Sequence, residues 1–194
     1  MRVATYNSKQ AMSVSQSIRR IVLTGFMGAG KSTIGPLLAQ RINWEFLDVD
    51  SVIEWGIGKK VAQIFAEDGE AAFRVIEAET IRDCCTQERL VLALGGGALE
   101  TESTRELLAG LEATCVVFLD APLDVLVDRC LTQENAAERP VLADRERLFL
   151  RFSRRLVHYR TADTTIATSE LSPDEVVDRI LAEIPNIASS RSVF

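Results

Sequence analysis

IVLTGFMGAGKST, residues 21–33, decides how this chain is read. The run 21–24 is short, mostly apolar and closed by glycine, as a strand buried in a parallel sheet is. Gly25-Phe26-Met27-Gly28-Ala29-Gly30-Lys31-Ser32 then matches the spacing G-x-x-x-x-G-K-[ST]. Residues 31–41 follow as a helix, with Ile34, Leu37, Leu38 and, just beyond, Ile42 on one face. Strand, glycine loop and helix in that order make a phosphate cradle. Glycines let successive backbone N–H groups turn inward around an anion. The helix N-terminus adds a partial positive charge. Lys31 is a mobile cation for the β- and γ-phosphates, and the Ser32 hydroxyl can ligate Mg²⁺. Charge supports the reading. No Asp or Glu precedes Glu45, whereas Arg2, Lys9, Arg19, Arg20, Lys31 and Arg41 all do.

Outward from the loop, strand and helix signals alternate. Strands are predicted at 21–24, 45–47 (leading into Asp48 and Asp50), 90–94, 115–119 and 164–167. Helices are predicted at 31–41, 51–55, 61–67, 70–85, 103–108, 123–131, 144–160 and 173–184. Ser172 with Glu175 three residues on reads as a capping box for the last helix, and Pro185 as its stop. Such alternation implies a parallel sheet with helices on both faces. Residues 1–18 are polar and without periodicity, and read as a mobile extension. They are basic and acid-free, a faint transit-peptide signal, but Arg is scarce and no amphipathic period runs through them. Residues 186–194 read as a tail.

The remaining composition narrows the class. With 194 residues, 47% hydrophobic and 26% charged, the chain suits one globular domain. Mean hydropathy is +0.09 and no apolar run approaches the ~18 residues of a spanning helix. A net charge of -6 argues against non-specific binding to nucleic acid or an acidic membrane. The single His excludes a His-rich metal site. Cys84, Cys85, Cys115 and Cys130 form no C-x-x-C pair, so a reducing, cytoplasmic setting is expected. No sustained heptad appears, so a monomer is expected.

The loop itself is shared by GTPases, motor ATPases and small-molecule kinases. A guanine-reading N-K-x-D is absent, and glycines rather than Asp close the third strand. Asp48 is therefore the better metal-side carboxylate, with Asp120 as a competitor. Further candidates gather where strand C-terminal ends should meet. They are Asp48-Val49-Asp50, Arg74 with Glu77, Gly95-Gly96-Gly97, Glu138-Arg139-Pro140, and Arg155 with Tyr159. Each has a bland alternative: a helix cap, a tight turn, a solvated charge. Trp44, Trp55 and Phe65 are expected to pack in the core or a lobe, Cys84-Cys85 to pack a helix, and His158 to be a bystander.

Together these motifs resemble the shikimate kinase family. The resemblance spans 19–185. It rests on GFMGAGKST, LDVDSVIE, IFAEDGEAAFRVIEAE, LALGGGA, ERPVL and the R-x-x-x-Y at Arg155–Tyr159, all in order. It implies a three-layer α/β/α fold around a five-stranded parallel sheet, of the P-loop nucleoside-monophosphate-kinase kind. It implies ATP as co-substrate, Mg²⁺, and phosphorylation of shikimate on its 3-hydroxyl. Lys31, Asp50 and Arg139 would be catalytic, with Asp50 as the proton acceptor. Gly28, Ala29, Gly30, Lys31, Ser32, Thr33, Arg129 and Arg139 would bind ATP. Asp50, Arg74, Gly95, Gly96, Gly97 and Arg155 would bind shikimate, the two arginines on its carboxylate. Ser32 and Asp48 would hold the metal. The resemblance also implies a substrate-binding region near 51–88 and a lid near 131–143. Weighed against this are a kinase of another polyol acid such as gluconate, a nucleotide monophosphate kinase, and a catalytically dead nucleotide-binding homologue.

Overall fold

A computed structural model of the chain describes residues 17–132, 144–184 and 186–187. Five strands form one sheet: β1 (Arg20–Thr24), β2 (Glu45–Asp48), β3 (Leu90–Ala93), β4 (Thr114–Asp120) and β5 (Thr164–Ala167). Their order is β2-β3-β1-β4-β5 and every pairing is parallel. Every residue of β1 and β3 is buried, so helices must cover both faces of the sheet. The α/β class and strand count are those expected.

The helices are α1 (Lys31–Ile42), α2 (Val49–Ile57), α3 (Val61–Glu67), α4 (Gly69–Cys84), α5 (Glu102–Gly110), α6 (Leu123–Leu131), α7 (Arg145–Tyr159) and α8 (Pro173–Glu183). Among the described residues, Ala98–Glu100 forms a 3-10 turn that had no signal in the sequence. The capping box forms as expected: the Glu175 carboxylate accepts from the Ser172 N–H at 2.8 Å. α8 packs on α1, and Arg41 of α1 pairs with Asp178 at 2.8 Å. The helix that follows the phosphate loop is thus held against α8. α4 gathers α2, α3 and α5 around it.

The central position of β1 locates the site. The chain leaves β1 for β2 on one side, then crosses back over it from β3 to β4. Loops diverge above the carboxyl end of β1, opening a crevice at the switch point.

Some expectations need correction. Ile18 falls inside the extension assigned to 1–18, yet it is 3% exposed and its N–H donates to Asn186 O at 2.9 Å. It also forms an isolated parallel bridge with Ile187. An apolar residue next to a buried strand gains more by joining the core than by staying in solvent. Trp44 and Phe65 pack as expected, but Trp55 is 89% exposed. It lies about 200° around α2 from buried Ile53, at 100° per residue. Arg139, Glu138, Pro140, Pro185 and all of the expected lid except Leu131 and Thr132 lie outside the described residues. All four cysteines are buried thiols.

Candidate active site

The phosphate loop occupies 25–30, between β1 and α1. Gly30 caps the helix with φ +95, and among the described residues no side chain bonds to that helix start. No acid stands in the first turn. Thr33 and Ile34 N–H groups donate to Gly30 O at 3.0 and 2.8 Å, which leaves those of Lys31 and Ser32 for an anion. Gly28 has φ +76, and a β-carbon there would come within 2.3 Å of the Leu126 carbonyl oxygen. Only glycine lets the loop lie this close to α6. Lys31 Nζ folds back over the loop and donates to Gly25 O at 2.8 Å and Phe26 O at 3.1 Å. Burial lowers its pKa to about 8, against the pull of Asp50 and Asp48.

Two acids face this loop from β2 and α2. Asp48 Oδ2 accepts from Ser32 Oγ at 2.9 Å. Its Oδ1 accepts from the backbone N–H groups of Asp50 and Ser51. Asp48 therefore caps α2 and meets the loop at the same time. A hydroxyl beside a carboxylate is a hard-oxygen donor pair, and it suits Mg²⁺, which takes few protein ligands beside phosphate and water. Among the described residues no cluster of three or more His, Cys, Asp or Glu could hold a metal without such help. Asp120 ends β4, where its backbone oxygen accepts from Thr168 N–H at 2.8 Å. Asp50 sits in the first turn of α2. Burial and then Asp48 push its carboxyl above the usual aspartate range, with Lys31 opposing.

The acceptor side is built around the glycine turn after β3. A β-carbon at Gly97 would strike Arg74 Nη2 at 2.2 Å and Arg155 Nη2 at 2.8 Å. One from Gly95 would meet Glu77 Oε1 at 2.4 Å and Asp50 Oδ1 at 3.0 Å. Arginines from α4 and α7, an aspartate from α2 and a glutamate from α4 thus crowd a turn that has no side chains of its own. Arg74 donates to Glu77 Oε2 at 2.6 Å and to Glu70 Oε1 at 3.0 Å. Its guanidinium lies 5.4 Å from the Phe73 ring centre. Glu77 is 1% exposed, and its Oε1 has no hydrogen-bond partner among the described residues. Burial raises its pKa, with Arg74 opposing. Tyr159 donates its hydroxyl to Gly96 O, tying α7 to the turn. Glu100 joins this group through Arg155 Nε at 2.7 Å, and no sequence motif singled it out.

A third region lies on the far side of the loop. A cavity of about 380 Å³ is bounded by Gly28, Gly30, Thr33, Arg129, Thr168 and Leu171, among others. Arg129 donates to Thr168 Oγ1 at 3.0 Å and to Thr168 O. Such a space beside a phosphate cradle has the position and size of a base-and-ribose site. Among the described residues the His158 side chain makes no hydrogen bond, while its backbone carbonyl accepts from Thr161.

A phosphate cradle at a switch point, with an acid and paired arginines across from it, defines a P-loop phosphotransferase for a small acid. The family model for shikimate kinase matches residues 27–185. A shikimate kinase of Persephonella marina is 38% identical over 169 residues, covering 86% of this chain and 99% of that one. That of Microcystis aeruginosa is 36% identical over 187 residues, covering 94% and 91%. The solved structure of the shikimate kinase from Acinetobacter baumannii in complex with shikimate superposes with a TM-score of 0.76 at 33% identity, over 86% of this chain and 92% of that one. The chain belongs to the shikimate kinase family. Among the described residues no helix is long and apolar enough to cross a membrane.

Proposed function

We propose that the chain transfers the γ-phosphoryl group of ATP to the 3-hydroxyl of shikimate, giving ADP and shikimate 3-phosphate. The observation that carries the reading is the meeting of the Arg74 and Arg155 guanidiniums at Gly97. Two planar forks at one point suit an anionic oxygen pair such as a carboxylate, and a neutral sugar would leave them unpaired. Asp50 accepts the hydroxyl proton as the oxygen bonds to the γ-phosphorus and the β–γ bridge breaks. Glu77 Oε1, buried and unpartnered beside Gly95, takes a ring hydroxyl. Gly95, Gly96 and Gly97 let the ring approach the backbone.

Gly28, Ala29, Gly30, Ser32 and Thr33 hold the ATP phosphates, Lys31 neutralises the transferring group, and Arg129 flanks the base. Arg139, outside the described residues, is assigned to the transferring phosphate. Ser32 and Asp48 would hold Mg²⁺, which when bound offsets phosphate charge. Within a domain that spans 19–185 and takes in Ile18, residues 51–88 serve the acceptor and 131–143 the lid. The enzyme is read as a cytoplasmic monomer with no nucleic-acid or membrane partner.

The test is coupled ADP release with shikimate, gluconate, AMP or no acceptor. Turnover with shikimate and only background with the others is expected. Comparable rates with gluconate or AMP would overturn the assignment.

A further inference from the structure

We propose that Glu100 is a positioning residue for the acceptor, fixing which edge of Arg155 meets the substrate carboxylate. The inference rests on the reading of Arg74 and Arg155 as the carboxylate clamp. A guanidinium offers a carboxylate two bidentate edges, one using Nε and the other only the two Nη atoms. Glu100 Oε2 takes the Nε of Arg155 at 2.7 Å. That occupies the first edge. The second is what remains, and it is the one that faces the glycine turn. A β-carbon at Gly96 would meet Nη1 at 3.5 Å, and one at Gly97 would meet Nη2 at 2.8 Å.

The guanidinium is held from a second direction, its centre 5.9 Å from the Phe26 ring of the phosphate loop. Arg155 is only 7% exposed, so it has little room to rotate away. Glu100 is itself anchored. Its Oε1 pairs with Arg154 at 2.6 Å, and its Oε2 stands 4.0 Å from Arg74 Nη2. One carboxylate on the 3-10 turn thus touches both clamp arginines and fastens to a third. Burial works against its ionisation, but the guanidiniums of Arg155 and Arg154 outweigh this and hold its carboxyl below the usual range.

Glu100 also adds negative charge near an anion. A mere counter-charge and a positioning residue therefore predict opposite signs. Without a counter-charge, shikimate would bind more tightly. Without a positioner, it binds less tightly.

The experiment compares wild type with Glu100→Ala, Glu100→Gln and Arg155→Ala. Calorimetry would measure binding of shikimate, its neutral carboxamide analogue and ATP, and steady-state assays would give kcat and KM. Thermal melts would check folding. Glu100→Ala should weaken shikimate binding about tenfold or more, the scale of one hydrogen bond to a charged group. It should raise KM far more than it lowers kcat. ATP and the carboxamide should bind as to wild type. Glu100→Gln keeps an oxygen for Nε and should recover most of the loss. Unchanged or tighter shikimate binding in Glu100→Ala would overturn the proposal. So would an equal loss for ATP, shikimate and the carboxamide, which marks a structural role. If Arg155→Ala itself leaves shikimate binding intact, the clamp reading fails first and the proposal fails with it. If Arg155→Ala loses shikimate and Glu100→Ala does not, the proposal fails and the clamp stands.

Discussion

Lys31 and Asp50 carry opposite charges across the phosphate loop, and burial works against both. Asp50 is held above the usual carboxylate range by burial and by Asp48. The upward shift makes the carboxylate a better proton acceptor for the role proposed. Asp50→Asn keeps the shape and removes the acceptor. It should lower kcat by roughly 10²–10⁴, the usual contribution of such groups, with ATP binding kept in calorimetry. A loss below tenfold would mean that Asp50 acts only as part of the helix start. Lys31 has its pKa lowered to about 8 in the ligand-free protein. A triphosphate favours the cation, so nucleotide binding raises that pKa. Near pH 8.5 binding should therefore take up a proton, and affinity should fall as pH rises through about 8. Calorimetry in buffers of different ionisation enthalpy measures the uptake directly. It should vanish in Lys31→Ala.

At the level of elements, the site depends on how closely the loop, α6 and α1 can approach. Gly28→Ala places a methyl group against the Leu126 carbonyl and forces an alanine to φ +76. Backbone strain and overpacking together cost about 2–4 kcal/mol. The loop is the softest part that can yield, so ATP binding should fall with stability. Gly56→Ala is the contrast. Gly56 lies inside α2 with open space where its β-carbon would go. That change should stabilise by up to about 1 kcal/mol through helix propensity and leave turnover alone. Urea titration of both variants tests the pair. Equal effects would show that the loop has slack that the close approach to α6 does not reveal.

Over the whole molecule, the proposed clamp would join α4 to α7 through a turn that neither helix contains. A ligand that bridges them stabilises the fold as a unit. At a hundred times its Kd, shikimate should add about 2.7 kcal/mol and raise Tm by several degrees in a chain of this size. Truncating either arginine leaves the substrate carboxylate partly unpaired, a loss of roughly 2–5 kcal/mol. Arg74→Ala and Arg155→Ala should therefore lose most of the shikimate-induced shift at the same concentration. They should keep the shift given by ATP. Scanning fluorimetry of wild type and both variants with each ligand is the check. A shikimate shift retained in both variants would remove the arginines from the clamp.

The strand–loop–helix unit at 20–42, the alternation that follows it and the capping box of α8 are legible in the residue order, because each depends on neighbours within one or two turns. Burial periodicity and glycine spacing are local quantities, and so most element boundaries fall within a few residues of expectation. Motif order was enough to place Lys31, Asp50, Arg74 and Arg155 as candidates. It did not say which atoms meet. Asp48 joins Ser32 because β2 runs parallel to β3 at the sheet edge and ends level with the loop. Glu100 meets Arg155 because the chain crosses the sheet between them, which no spacing along the sequence encodes. Trp55 faces outward because a two-residue step from Ile53 turns it off the packed side of α2. Pairings of this sort are set by the crossovers and by which helix faces remain uncovered, and those follow from the packing of the whole chain rather than from any segment of it.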